Sequence, residues 1–301
     1  MNSLKKLLVA MSLAACAGMA PAQQPQPAAS NDKATVQDGI KVRPLSRFRM
    51  LSSGEQFEAQ SRQQYTQMMQ QANQKGVLVA ASDPQTQRLR GIAKKLIPYT
   101  TRWNQDAAKW DWQVNLINSP QVNAFCMPGG RIGFFTGILT QLKLSDDEAA
   151  AIMGHEIAHA LREHGRAQQG KTVVTSVGTR VLGALGAAVF GIDPSVTDTV
   201  ARAATQGFAL KYSRDDEREA DLIGLDIAAR AGFDPRAGVV LWQKMGALSK
   251  RAPPQFLSTH PGGAARIQAM NQHMDVLLPL YARSKGTSVR NLPPYRTFAM
   301  Q

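Results

Sequence analysis

The sequence predicts a mainly α-helical domain with a small β-hairpin. Two stretches, residues 145–165 and 213–230, combine helix-forming residues with a serine that can cap the first turn. Residues 110–117 alternate apolar and polar side chains, which is typical of a half-buried strand. Residues 122–137 contain a Pro-Gly-Gly sequence near their middle, which predicts two short strands joined by a tight turn.

Composition indicates a folded protein that does not bind nucleic acid. The chain has 301 residues, 44% of them hydrophobic, which is enough for a core. Its net charge is +13, but the basic residues are scattered and are not interleaved with aromatic ones. We therefore expect no nucleic-acid partner, and a solvated basic surface with some attraction to anionic lipid. Cys126, one of two cysteines, is expected to be a small buried residue rather than a ligand or a nucleophile.

The chain divides into four predicted parts: a signal peptide at 1–15, a flexible tether at 16–50, a folded domain at 51–285 and a C-terminal tail at 286–301. The tether is rich in Ala, Gln and Pro and has few large apolar residues.

The N-terminal segment has the features of an export signal. Lys5 and Lys6 precede an apolar stretch that is too short to span a bilayer. Two cleavage sites fit the sequence. Leu-Ala-Ala-Cys at 13–16 resembles a bacterial lipobox and would leave a lipidated Cys16; we favour it because it follows directly on the apolar stretch. Ala-Pro-Ala at 20–22 would suit ordinary signal peptidase.

The helix predicted at 145–165 carries two histidines one turn apart. Ser145 and Glu148 form a capping-box pair at its start. His155 and His159 share one face and are about 6 Å apart along the helix axis, so both imidazoles can reach one metal ion. Zinc takes nitrogen ligands at about 2.0–2.1 Å and keeps a position for water when only three protein groups bind. Glu156 is turned by about 100° from His155 and is predicted to act as general base. The sequence therefore predicts a metallopeptidase.

The second helix supplies a candidate third ligand. Glu217 and Asp221 are four residues apart and face the same way. Glu217 could complete a set of two imidazoles and one carboxylate, which is a known catalytic zinc set. Asp221 could then hold one histidine ligand through its other ring nitrogen. Most of the acidic residues of this helix are expected to face solvent.

The predicted hairpin precedes the histidine-bearing helix in the chain. An exposed strand edge can hold an extended peptide through backbone hydrogen bonds. We predict that Asn123, Ala124 and Phe125 hold the substrate in this way, with a purely structural hairpin as the alternative.

These motifs resemble those of the M48 family of zinc endopeptidases, which includes HtpX, BepA, LoiP and the CAAX-prenyl endopeptidases. The matching pieces stand in family order over about residues 51–274: Asn-Ala-Phe at 123–125 with Pro-Gly-Gly at 128–130, His-Glu-x-x-His at 155–159, Glu-x-x-Ala-Asp at 217–221, and Thr-His-Pro at 259–261 with Arg-Ile at 266–267.

The resemblance implies a zincin-like (gluzincin) metallopeptidase domain with bound Zn²⁺. The implied ligands are His155, His159 and Glu217. Glu156 is implied as the general base, and Asp221 as the carboxylate that contacts a histidine ligand through its other ring nitrogen. It also implies that His260 and Arg266 lie beside the site, where either could stabilise an oxyanion. In some relatives a histidine at the position of His260 occupies the fourth zinc position and keeps the enzyme latent. His164 and His273 match no motif and are expected at the surface.

The resemblance is strongest to short LoiP-type exported lipoproteins, because no clean membrane span and no repeat-containing C-terminal domain are evident. It implies a periplasmic protein of the outer membrane, attached through a lipidated Cys16. It also implies misfolded or damaged envelope proteins as substrates. The alternative is a chaperone-like binding module with a latent or structural zinc site. The apolar segment 173–190 is predicted to be a packed or lid-like helix, with a membrane-surface role as its alternative.

Overall fold

A computed structural model describes residues 38–177, 212–249 and 255–299 of the chain, without the side chains of 173–177. The predicted signal peptide, Cys16 and most of the apolar segment 173–190 lie outside the described residues. The predictions made for them therefore stay predictions.

The described residues confirm a mainly helical fold with a small sheet. The helices are α1 (Gly54–Gln74), α2 (Pro84–Leu96), α3 (Thr136–Gln141), α4 (Asp146–Leu161), α5 (His164–Val177), α6 (Arg214–Arg230), α7 (Arg236–Ser249), α8 (Gln255–Thr259), α9 (Ala264–Gln272) and α10 (Met274–Ser284). The strands are β1 (Gln113–Ile117), β2 (Ala124–Met127) and β3 (Arg131–Phe135). Short 3₁₀ turns span Arg47–Leu51, Ile97–Arg102, Gln105–Lys109 and Val289–Asn291.

The helices begin where the sequence places capping residues. Ser53, Asp83, Ser145 and Ser213 each accept a hydrogen bond from a backbone N–H of the first turn that follows. Ser145 and Ser213 form complete capping boxes. The two helices that carry the predicted metal ligands therefore start at fixed positions.

The predicted hairpin is present as β2 and β3, which pair antiparallel with Phe125 opposite Gly133. The predicted strand at 110–117 is shorter and pairs parallel to β3, so the strand order is β1-β3-β2. Among the described strands, β2 is thus the edge strand on the side away from β1, and it packs against α4.

Helices α4 and α6 form the centre of the domain and touch at two glycines. A Cβ atom added at Gly154 would lie 2.6 Å from the backbone oxygen of Gly224, and one added at Gly224 would lie 2.5 Å from the nitrogen of His155. The two backbones can approach this closely only because neither residue has a side chain. This contact brings the histidine-bearing turn of α4 against the acidic turns of α6.

Two peripheral segments pack on the domain. Residues 38–50 belong to the predicted tether, but the backbone N–H of Ile40 donates to Asp226 at 3.0 Å and Arg43 Nε donates to Glu219 at 2.6 Å. This end of the predicted tether is therefore part of the folded unit. In the C-terminal tail, the Tyr295 hydroxyl lies 3.0 Å from Oγ of Ser145 at the start of α4. Of the helices in the described ranges, none combines the length and hydropathy that crossing a bilayer requires.

Candidate metal centre

Four buried side chains converge between α4, α6 and the turn after α8. His155, His159, Glu217 and His260 each offer one ligand atom, and these atoms all lie within 4.8 Å of one another. Nε2 of His155 is 3.1 Å from both Nε2 of His159 and Nδ1 of His260. Oε1 of Glu217 is 3.1 Å from Nδ1 of His260 and 3.4 Å from Nε2 of His159.

These separations fit a single metal ion. Two ligands about 2.0–2.1 Å from a zinc ion at a tetrahedral angle are about 3.3 Å apart, close to the distances found here. The donor set of imidazole nitrogens and one carboxylate is also the set that zinc prefers. The predicted ligands His155, His159 and Glu217 are thus brought together, and His260 joins them as a fourth candidate ligand.

Local structure explains why these side chains meet. His155 and His159 occupy successive turns of α4, and Glu217 is in the first turn of α6, four residues after its capping serine. His260 follows α8, where its backbone N–H donates to the carbonyl of Phe256 at 2.9 Å. The rings of Phe256 and His260 stack with centroids 4.5 Å apart, which holds the imidazole toward the cluster.

Glu156 lies beside the cluster and has a fully buried carboxylate oxygen. Its Oε1 is buried, has no hydrogen-bond partner among the described residues and lies 3.5 Å from Nε2 of His260. A buried carboxylate oxygen without a partner is costly unless it serves a ligand or a water. Burial raises the pKa of Glu156, which favours its action as a proton acceptor and donor.

Asp221 and Arg266 contact two of the candidate ligands. Oδ1 of Asp221 lies 3.0 Å from Nδ1 of His155, so it accepts the proton of that nitrogen when Nε2 faces the metal. Arg266 donates to both carboxylate oxygens of Asp221 at 2.6 and 2.5 Å, and its third nitrogen is 2.6 Å from Oε2 of Glu217. The guanidinium also lies 3.6 Å from the ring centroid of Trp242.

The resemblance implied that Arg266 lies beside the site, where it could stabilise an oxyanion. Arg266 does lie beside the candidate ligands, and its donors contact the carboxylates of Glu217 and Asp221. Because its donors are engaged by Asp221 and Glu217, the geometry suits it to hold those acids in place. Burial opposes ionisation of Asp221, but the Arg266 charge and the His155 contact keep its pKa below the usual value.

Two side chains that contact His159 were not predicted. His164, expected at the surface, is buried, and its Nδ1 lies 3.0 Å from Nδ1 of His159. The ring of Tyr212 stacks on His159 with centroids 4.0 Å apart. Tyr212 directly precedes the serine that caps α6, and this position was the signal that could have pointed to it.

Most of the acids on α6 are also less exposed than expected. The side chains of Asp216, Glu217, Glu219 and Asp221 are buried, and Asp215 is exposed. The prediction of a solvent-facing acidic surface is therefore wrong for most of this turn, because these acids face α4 and the segment 38–50.

The predicted substrate edge presents its backbone rather than its side chains. The Phe125 side chain is buried in a separate apolar cluster with Tyr65 and Phe135. The carbonyl of Asn123 accepts a hydrogen bond from the Phe135 N–H at 3.2 Å, and its side chain accepts from the N–H of Ala124 at 3.0 Å. In such a ladder, the backbone groups of the intervening residues point away from the partner strand.

A cleft of about 800 Å³ opens next to the cluster. Its lining includes His159, Tyr212, Trp110 and Pro128. Cys126 lies at its wall and is partly buried, and burial raises the pKa of its thiol well above the usual range. A protonated thiol is a poor nucleophile, which agrees with the structural role predicted for it.

The sequence of the chain matches that of a known protein family. The profile described as Peptidase family M48 matches residues 83–274. Mitochondrial metalloendopeptidase OMA1 of Arabidopsis thaliana is 37% identical over 161 residues, covering 54% of this chain and 31% of the relative. Metalloendopeptidase OMA1, mitochondrial, of Danio rerio is 32% identical over 237 residues, covering 74% and 48%. Beta-barrel assembly-enhancing protease of Escherichia coli is 28% identical over 209 residues, covering 66% and 41%. The chain spans about half or less of the length of these relatives.

The comparisons contradict the predicted location. We expected an exported, periplasmic lipoprotein of the outer membrane, but the plant, yeast and animal relatives are named as mitochondrial proteins. The predicted location rests on a likeness to LoiP-type lipoproteins and on an N-terminal segment outside the described residues. The metal-site motifs that this chain has in common with LoiP-type lipoproteins carry no information about location.

Proposed function

This chain belongs to peptidase family M48, and we propose that it is a zinc-dependent endopeptidase acting on unfolded or misfolded proteins. The observation that carries the proposal is the cluster of four ligand atoms within 4.8 Å, with the unpartnered Oε1 of Glu156 beside it. The names of the relatives, which describe metalloendopeptidases and a protease, support the same reaction.

His155, His159 and Glu217 would hold the metal. When bound there, zinc would lower the pKa of a water and polarise the scissile carbonyl. Glu156 then accepts a proton from the attacking water and passes it to the leaving amine. Its raised pKa suits both steps, because a carboxylate that gives its proton up too readily is a poor acid.

The metal ligands are held in one protonation state by their neighbours. The contact from Asp221 to His155 Nδ1 keeps the proton on that nitrogen and leaves Nε2 for the metal. Burial lowers the pKa of His159 well below its usual value, so its imidazole is neutral, as a ligand requires.

The outer edge of β2, which pairs with no other described strand, supplies a binding surface for an extended peptide. Since Asn123 and Phe125 pair with β3, the backbone groups of Ala124 and Cys126 point toward the outer edge. The Ala124 N–H there already donates to the Asn123 side chain, so the Ala124 carbonyl and the Cys126 backbone groups are the ones that a peptide would pair with. Pairing through the backbone makes few demands on side chains but requires an unfolded segment. This requirement supports unfolded or misfolded proteins as the substrate class.

A second candidate function follows from His260. Its Nδ1 lies within the ligand cluster, so four protein groups can close the metal site. A closed site is typical of structural zinc, and it would suit a chaperone-like module that binds unfolded proteins and cleaves them rarely. This candidate would be favoured if the protein bound casein strongly without hydrolysing it, and if His260→Ala also failed to hydrolyse casein.

The proposed activity is tested by casein hydrolysis with and without the metal. We expect the purified chain to degrade casein, an unfolded substrate, and to leave a compact folded protein intact. Treatment with a chelator should abolish hydrolysis, and added zinc should restore it. Hydrolysis that persists after complete removal of the metal would contradict the proposal.

A further inference from the structure

His164 is a buried histidine that the reaction described above does not use. Its side chain is 4% exposed, and it is the first residue of α5. Its Nδ1 lies 3.0 Å from Nδ1 of the metal ligand His159, and the two rings meet edge to face at 73°. A contact this short between two ring nitrogens requires one of them to donate a proton and the other to accept it.

The direction of this hydrogen bond follows from the metal site. Nε2 of His159 faces the other ligand atoms, so it carries no proton when a metal is bound. The single proton of the neutral ring is therefore on Nδ1, which donates to Nδ1 of His164. His164 in turn carries its own proton on Nε2.

The Nε2 atom of His164 faces two carboxylates that can accept that proton. Its Nε2 lies 3.6 Å from Oε1 of Glu219 and 3.8 Å from Oδ1 of Asp216. Glu219 is held by Arg162 and by Arg43, whose Nε is 2.6 Å from Oε2. Arg162 also donates to the carbonyl of Arg43 at 2.6 Å, which ties the segment 38–50 into the same cluster.

The break between α4 and α5 places the ring. Helix α4 ends at Leu161, and Glu163 has φ of +53°, a left-handed conformation. On a continuous helix, residues five apart point about 140° away from each other. The reversal at Glu163 is therefore what brings His164 beneath His159.

From these contacts, we propose that His164 is a positioning residue for His159. It accepts the Nδ1 proton of the ligand, fixes the ring tautomer and aims Nε2 at the metal, while Glu219 and Asp216 orient it from behind. This inference rests on the proposed function, because it assumes that His159 binds the metal.

The test compares zinc affinity among matched variants of the full chain. His164→Leu removes the acceptor, whereas His164→Asn keeps an acceptor near the position of Nδ1. His273→Leu is the control, because His273 is a partly buried histidine bonded to the carbonyl of Ala269. Zinc dissociation constants come from competition with a chelator. Visible spectra of the cobalt-substituted proteins report the ligand geometry, which a general loss of stability would not change.

We expect His164→Leu to weaken zinc binding by about 10–100-fold and to alter the cobalt spectrum. His164→Asn should recover most of the affinity, and His273→Leu should match the unaltered protein. If His164→Leu binds zinc as tightly as the unaltered protein and gives the same cobalt spectrum, the inference is overturned while the proposed function stands. If the unaltered protein does not bind zinc, the proposed function itself fails.

A measurement on the unaltered protein covers the case in which His164→Leu does not fold. Nitrogen-15 NMR of the zinc-loaded protein distinguishes the two neutral tautomers of each histidine. The inference requires the proton on Nδ1 of His159 and on Nε2 of His164. A proton on Nδ1 of His164 would overturn it.

Discussion

Oδ1 of Asp221 lies 3.0 Å from Nδ1 of His155, one turn along α6 from the candidate ligand Glu217. A single helix therefore contributes both a candidate ligand and the carboxylate that would orient another candidate ligand. Arg266 bridges these two acids, since its guanidinium reaches Asp221 and Glu217 together.

Asp221→Asn should weaken zinc binding by about 10–100-fold, because the amide has no charge to hold the His155 proton and pairs less strongly with Arg266. Chelator competition measures the loss. Asp275→Asn, at an exposed position in the first turn of α10, is the control and should leave the affinity unchanged. Equal affinity in both variants would show that Asp221 does not support the ligand.

Gly224→Ala should damage the metal site without touching any ligand. Its Cβ would lie 2.5 Å from the nitrogen of His155, so α6 must move away from α4 and carry Glu217 with it. Overpacking of this kind costs about 1–3 kcal/mol of unfolding free energy. Gly91→Ala on α2 is the matched control, because a Cβ there meets no described atom within 4 Å.

The control should be stabilised by about 0.5–1 kcal/mol, the usual gain from replacing glycine within a helix. Denaturant unfolding and zinc affinity are measured on both variants. The close contact of the two helices would be disproved if Gly224→Ala retained full stability and full zinc affinity.

His260→Ala should retain zinc, because His155, His159 and Glu217 remain as three ligands. Casein hydrolysis should rise, since the variant opens the position that Nδ1 of His260 can occupy. Metal content and hydrolysis are measured on the same preparation. A fall in hydrolysis with zinc retained would instead assign His260 to the reaction, as the oxyanion role predicts.

The unfolding free energy of the protein should depend on pH through Asp38, which lies at the start of the described residues. Its hydrogen bond from Arg283, together with Arg230, holds the pKa of Asp38 below the usual value of 3.8. A carboxylate with a depressed folded-state pKa stabilises the protein above its unfolded pKa, and this contribution is lost as the pH falls through the folded value.

Asp38→Asn should therefore lower the unfolding free energy at pH 7, by under about 1 kcal/mol because the pair with Arg283 is exposed. The difference from the unaltered protein should shrink as the pH falls below 3.8. Denaturant unfolding over this pH range checks the prediction, and a difference that grew toward low pH would contradict it.

Local sequence patterns predicted the site in part. Histidines four residues apart on a helix must share a face, so His155 and His159 were evident from spacing alone. Glu217 was not, because several acids on α6 are locally equivalent, and only the family motif or the packing of α6 on α4 distinguishes them. The Gly154–Gly224 contact that sets this packing is a long-range feature without a local signal.

The fold was likewise predicted where local rules apply. Capping residues gave the helix starts, and the Pro-Gly-Gly sequence gave the hairpin of β2 and β3. The parallel pairing of β1 with β3 was not predicted, because it joins segments separated by β2. His164 was missed because its burial depends on the left-handed conformation of Glu163, a position where glycine would have been the usual signal.

The most direct test of the account is casein hydrolysis by Glu156→Gln, measured together with its zinc content. Glutamine keeps the size of the side chain but cannot accept a proton from water. We predict full zinc occupancy with hydrolysis reduced by at least about 100-fold, the scale of a lost general base. Hydrolysis at the unaltered rate in a zinc-loaded variant would contradict the assignment of Glu156 and the peptidase mechanism built on it.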